Sequence, residues 1–195
     1  MIRRSVVLVA LLFGSAGSHA LLEDVSYEAT RVMRVDGYEI VTRVHHAPRM
    51  ERITASLIGM EVTVIMRTDR NLAWQLIPLM GVYGESDLSA MDTPENIRIL
   101  SREPVGVETI RGIAVTKFRA RFVTQGGTHH EGFYWQNADG VHVRTEFPFI
   151  GRDGGEKRIE LELRDVELGP QPAYLFELPE GYSKVDLDIA SLLPI

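Results

Sequence analysis

From Val25 onward apolar residues recur mostly at every second position, the period that sends alternate side chains to opposite faces of a β-strand. In residues 114–124, Ala114, Thr116, Phe118, Ala120 and Phe122 fall on one face and Lys117, Arg119 and Arg121 on the other. A strand of that kind belongs to an antiparallel sheet with one wet side. Residues 156–166 repeat the pattern, with Ile159, Leu161 and Leu163 opposed by Arg158, Glu160, Glu162 and Arg164. The same alternation predicts strands over 26–35, 38–44, 52–57, 61–67, 73–76, 106–110, 132–136 and 141–146. Between them stand Asp36-Gly37, Ile58-Gly59, Asp69-Arg70-Asn71, Arg111-Gly112, Ala138-Asp139-Gly140 and Asp153-Gly154-Gly155. Gly, Asp and Asn at such points tolerate the positive φ of tight hairpins. Short strands at a spacing of about ten residues make the chain mainly β, a sandwich or a barrel.

One stretch breaks the period. In residues 85–103, Asp87 and Thr93-Pro94-Glu95 have the form of helix starts, and Leu88, Met91, Ile97 and Leu100 fall near helical spacing. One or two short helices are expected there, either covering an open end or concave face of the sheet or serving as a plain crossover. No repeat, low-complexity tract or Pro/Ser-rich linker divides the chain, so residues 21–195 read as one domain.

The first twenty residues are of another kind. Arg3 and Arg4 precede the apolar run 5–13 and the small-residue segment 14–20, the order of a secretory signal peptide, with cleavage expected after Ala20. The run is about half the roughly 20 residues a membrane-spanning helix needs, and no later segment is apolar enough to span. The expected location is the periplasm, in soluble form. The sequence has no cysteine, which excludes both a lipidated cysteine anchor and disulfides, so the fold rests on its core. Loss of the leader leaves 19 Lys and Arg against 27 Asp and Glu, a formal charge of -8. That balance argues against nucleic acid or an anionic membrane as the main partner.

Chemistry-bearing motifs are sparse. No serine sits in Gly-x-Ser-x-Gly and there is no cysteine nucleophile. Glu160 and Glu162 share a charged strand face with Arg158 and Arg164, where cross-strand pairing accounts for them. Gly126-Gly127 and Gly154-Gly155 lack the lysine and helix of a phosphate-binding loop. His45-His46 and His129-His130 are adjacent pairs, and neighbours on a strand point to opposite faces, so each offers one ligand per side and no metal is expected. Lys117, Arg119 and Arg121 are expected to face Arg144 or Glu146 in a mixed-charge outer surface, or else to dock a lipid headgroup or acidic partner. The chain reads as a non-enzyme with no cofactor.

Four segments in order carry a likeness that periodicity does not. They are Ala47-Pro48-Arg49-Met50-Glu51-Arg52, then Met66-Arg67-Thr68-Asp69 running through Trp74-Gln75-Leu76-Ile77-Pro78 to Tyr83-Gly84-Glu85, then 106–112 (GVETIRG), then Gly132-Phe133-Tyr134-Trp135 with Asp139-Gly140-Val141. From about Tyr27 to Tyr182 the chain resembles the superfamily of the periplasmic lipoprotein carrier LolA and the receptor LolB, with motif spacing nearer an uncharacterised branch. The resemblance implies a half-open antiparallel β-barrel wrapped around an apolar cavity, closed by short lid helices and used for acyl chains of lipoproteins. It makes Arg52 the lid-contacting arginine of a Pro-x-x-x-Arg motif.

Such a cavity needs apolar linings that alternate with outward polar residues, because each buried methylene is worth about 0.8 kcal/mol only when no unpaired polar group is buried beside it. The bulky or pliable candidates are Met33, Met66, Trp74, Leu76, Met80 and Met91, with Phe118, Phe122, Phe133 and Trp135. Methionine suits ligands of varied shape. Taken singly each is as well explained as core. The tail 183–195, with Leu187, Ile189, Leu192 and Leu193 near helical spacing, is positioned to pack back across the mouth. The expected ligand is a lipid or lipoprotein acyl chain, the alternative an envelope protein recognised by the same half-barrel.

Overall fold

The computed structural model describes residues 24–57, 59–89, 98–123, 127–150 and 155–187. The leader 1–20 and the centre of the expected helical insertion, with Met91, lie outside them. Twelve strands follow in order: β1 (Tyr27–Val35), β2 (Tyr38–Ala47), β3 (Met50–Leu57), β4 (Met60–Arg67), β5 (Leu72–Ile77), β6 (Val82–Asp87), β7 (Arg98–Ile110), β8 (Ile113–Val123), β9 (His129–Gln136), β10 (His142–Ile150), β11 (Glu156–Leu168) and β12 (Ser183–Lys184). All join one sheet in the order β12-β6-β5-β4-β3-β2-β1-β11-β10-β9-β8-β7. Every pairing is antiparallel except β12 with β6. The sheet is open, with β7 and β12 at its two ends.

The hairpins sit where the turn residues placed them. Asp36 and Gly37 (φ 50° and 80°) and Arg111 and Gly112 (φ 48° and 81°) supply two successive positive-φ residues, the twist-matched two-residue turn that lets β1 run into β2 and β7 into β8.

The expected helices at 85–103 are not found at either described end. Residues 85–87 finish β6 and 98–103 begin β7. Every residue of β5 is in register with one of β6, from Leu72↔Asp87 to Ile77↔Val82. Completing that ladder satisfies the β5 backbone, and this outweighs the local helical spacing of the side chains.

Register assigns the faces. Tyr27, Ala29, Met33 and Val35 of β1 share a face with Val44 of β2, Ile53 of β3, Val64 and Met66 of β4, Ala73 of β5, Ile159, Leu161 and Leu163 of β11, Phe147 of β10 and Phe122 of β8. With Leu88 and Val141 these residues form one buried apolar cluster from β5 to β8. One cluster drawn from strands so far apart in the sheet identifies this as the inner face.

The outer face is treated differently in its two halves. Over β3 to β6 it is apolar and covered by residues 170–182, in which a 3-10 turn (Ala173–Phe176) sinks Phe176 among Ala47, Ile65, Trp74 and Leu76. Of the tail expected to pack back across the mouth, Ser183 and Lys184 pair along β6 as β12 and Leu187 meets Gly84 on the inner face, while Ile189, Leu192 and Leu193 lie outside the described residues. Over β8 to β11 the outer face mixes ion-paired charges with a small apolar cluster of Val115, Phe133, Trp135 and Val143.

Gly132 on β9 marks a close approach of neighbours. A Cβ there would stand 2.7 Å from the Glu146 carbonyl oxygen and 3.2 Å from the Phe147 Cβ. Gly132→Ala is expected to lower stability by about 1–3 kcal/mol through this clash with backbone, read as a lower urea midpoint at unchanged slope.

Candidate functional site: the inner face of the half-open sheet

The inner face is largely apolar and carries a polar island over β1 to β3. Arg31 of β1 donates both terminal nitrogens to the Glu51 carboxylate of β3, at 2.9 and 2.7 Å, and both residues are buried. His46 of β2 places Nδ1 3.4 Å from Glu51 Oε2 and stacks on Tyr27 at a centroid distance of 4.9 Å. Gln75 donates to the Ser86 hydroxyl at 3.1 Å. These groups occur together because register aligns Tyr27 with His46, His46 with Glu51 and Glu51 with Met66.

Burial works to raise the Glu51 pKa, but the Arg31 guanidinium and His46 override it and hold the carboxyl at about 2. A carboxyl depressed in the folded state contributes stability that is present above its unfolded value, near 4.5, and is lost as pH falls toward 2. Denaturant unfolding between pH 5 and pH 2 should show this loss, with a shallower decline in Glu51→Gln. Equal slopes in the two proteins would show that other carboxyls set the acid limit.

The ten candidate lining residues are divided by the structure. Met33, Met66 and Phe122 are buried on the inner face, and Phe118 lies on it, stacked on Tyr134 at 4.9 Å. Trp74 and Leu76 are on the outer face under Phe176, with Trp74 Nε1 donating to Glu85 at 3.1 Å. Phe133 and Trp135 are also on the outer face. Lys117 Nζ stands 4.9 and 4.6 Å from their ring centres, and the Trp135 indole donates to Glu108 at 2.8 Å. Met80 sits in the exposed turn between β5 and β6. Met91 is outside the described residues.

Arg52 is on the outer face as well, where it donates to the Leu175 carbonyl of the strap at 3.2 Å. Burial lowers its pKa, with Glu61 acting in the opposite sense. Arg67, which the strand pattern does not single out, grips the same strap through the Phe176 carbonyl at 3.3 Å while its guanidinium is held by Asp69.

The basic strand finds partners other than those expected. Lys117 pairs with Glu108 at 3.6 Å, and Arg119 with Glu103 at 3.6 Å and Glu131 at 3.9 Å. Arg144 is one strand too far and pairs with Glu160 and Glu146. His45 meets Gln171 at 2.9 Å on the outer face and His130 stacks on Phe122. Among the described residues no three His, Cys, Asp or Glu are grouped to hold a metal ion.

Two further features bear on access. The described β7 residues from Leu100 to Thr109 are exposed, and β7 pairs only with β8, so one edge of the sheet is uncovered. Two irregularities in register and Pro104 interrupt it, devices that blunt strand-to-strand addition. Among the described residues no helix is long and apolar enough to cross a membrane.

No family model and no curated protein matches the sequence. Solved structures do. An uncharacterized conserved protein from Thermus thermophilus is 17% identical, with 84% of this chain and 91% of that chain covered and a TM-score of 0.54. MucB, solved in complex with MucA(peri), is 15% identical over 85% of this chain, with a TM-score of 0.50, and this chain spans 58% of it. A LolA superfamily protein from Nitrosomonas europaea is 10% identical, with 84% of this chain and 99% of that chain covered and a TM-score of 0.42. The open, mostly antiparallel sheet is a fold shared with the Thermus thermophilus protein and with MucB. The likeness is one of fold, and what the half-open sheet does in this chain is argued from its own residues.

Proposed function

We propose that this chain is an exported, non-catalytic protein of the bacterial envelope that binds an apolar ligand, a lipid or lipoprotein acyl chain, on the inner face of its sheet. The observation that carries the reading is the continuous apolar inner face from Ala73 and Met66 to Phe122, interrupted by polar groups that are paired with one another. An alkyl chain that takes the place of the contacts now burying this face gains up to about 0.8 kcal/mol per methylene, and the paired island adds no desolvation penalty. Met33, Met66, Phe118 and Phe122 are the lining residues this reading retains.

Titration of the purified chain with a fluorescent fatty acid, with native mass spectrometry for copurified lipid, tests the proposal. Saturable binding is expected, lost in Phe122→Asp and kept in Trp135→Phe. A well-folded chain that neither carries lipid nor binds the probe overturns it.

A second reading, recognition of an envelope protein, is favoured by the exposed β7 edge with Leu100, Val105 and Val107 at the surface. MucB shares the fold and is solved in complex with MucA(peri). A stable protein partner captured without lipid would favour this reading.

A further inference from the structure

The C-terminal segment is anchored unequally along its length. On the outer face Phe176 is fully buried, and Arg52 and Arg67 hold the carbonyls of Leu175 and Phe176. Between Tyr182 and Leu187 the described attachments are two backbone hydrogen bonds and an ion pair. Ser183 N–H donates to the Gly81 carbonyl at 2.9 Å, Val185 N–H donates to the Tyr83 carbonyl at 2.8 Å, and Lys184 makes an exposed ion pair with Glu85. Exposed ion pairs contribute little.

The segment then passes around the β6 edge. Gly84 is in register with Gln75, and Gln75 shares the inner face with Ala73, so the missing side chain of Gly84 leaves a notch on that face. Leu187 fills it. A Cβ on Gly84 would lie 2.8 Å from the Leu187 Cβ and 3.0 Å from its carbonyl oxygen. The chain thus carries an apolar residue of its own at the inner face, beyond a firmly held strap.

We propose that Leu187 is a built-in competitor for the inner face, an autoinhibitory tip that leaves the Gly84 notch when an apolar ligand binds. The inference rests on the ligand-binding reading above. Release of the tip leaves Phe176 and the strap in place, so the exchange needs no unfolding of the sheet. The apparent affinity is set by the fraction of molecules with the tip out, and weakening the tip raises that fraction.

The test compares wild type, Gly84→Ala and Leu187→Asp by titration with a fluorescent fatty acid, with thermal unfolding of each as a check of the fold. Gly84→Ala pushes the tip away by its methyl, and Leu187→Asp removes the apolar contact from the other side. Both are expected to bind about tenfold more tightly than wild type, equivalent to removing a competing contact of about 1.4 kcal/mol. Equal affinity in all three folded proteins overturns the tip and leaves the ligand-binding reading standing. Absence of binding in all three overturns both. Should one variant unfold, the other carries the same comparison.

Discussion

Glu51→Ala is expected to remove about 3–5 kcal/mol of folding stability, because it leaves the buried Arg31 guanidinium without its bidentate acceptor. Arg31 and Glu51 are each about 4% exposed, so water does not replace the lost carboxylate. The loss would consume much of the 5–15 kcal/mol typical of a domain. The double change Arg31→Met with Glu51→Leu is expected to recover most of it, since removing both charges removes both desolvation penalties. Urea unfolding of the two single variants and the pair gives the coupling directly. A Glu51→Ala protein within 1 kcal/mol of wild type would show that the island is hydrated or replaceable.

Phe176→Ala is expected to cost about 3–5 kcal/mol, the range for truncating a fully buried aromatic. In a chain of this length that lowers Tm by on the order of 10 °C. The side chain closes the outer apolar cluster over Ile65, Trp74 and Leu76, so its loss uncovers them together. Tyr174→Ala in the same turn removes a side chain that is 73% exposed and should change stability by no more than about 0.5 kcal/mol. Similar losses in the two would mean that the turn matters through its backbone and not through Phe176.

The strands with one wet face were legible in the sequence because burial and period coincide in them. In β8 and β11 the inward Phe118, Ala120, Phe122, Ile159, Leu161 and Leu163 alternate with charges on the outer face, of which Arg119 and Arg158 stay in water and Glu162 is buried between Arg111 and Arg164. In β5 the signal fails, since Trp74 and Leu76 are apolar on the face the strap covers while Ala73 and Gln75 point inward. Bulk and methionine content pointed to the wrong face there. Phase against a neighbour would have corrected it, because Met66 opposite Ala73 places Trp74 outside.

The polar island was hidden for the converse reason. Arg31 and Glu51 have the composition of exposed positions, and only their being in step with Ala29, Met33 and Ile53 marks them as inward. Helical spacing misled at the 85–87 end of the expected insertion because Gly84, Glu85 and Asp87 have little strand propensity of their own and are held by the ladder to β5.

The strand order has a kinetic consequence. β1 lies between β2 and β11, and its contact with β11 joins residues as far apart as Tyr27 and Leu168. Local hairpins can assemble on either flank early, yet the two flanks stay separate sheets until nearly the whole polypeptide is present to close the central seam. Refolding should therefore be slow for the size of the chain, and a molecule halted before β11 pairs would remain two unjoined sheets.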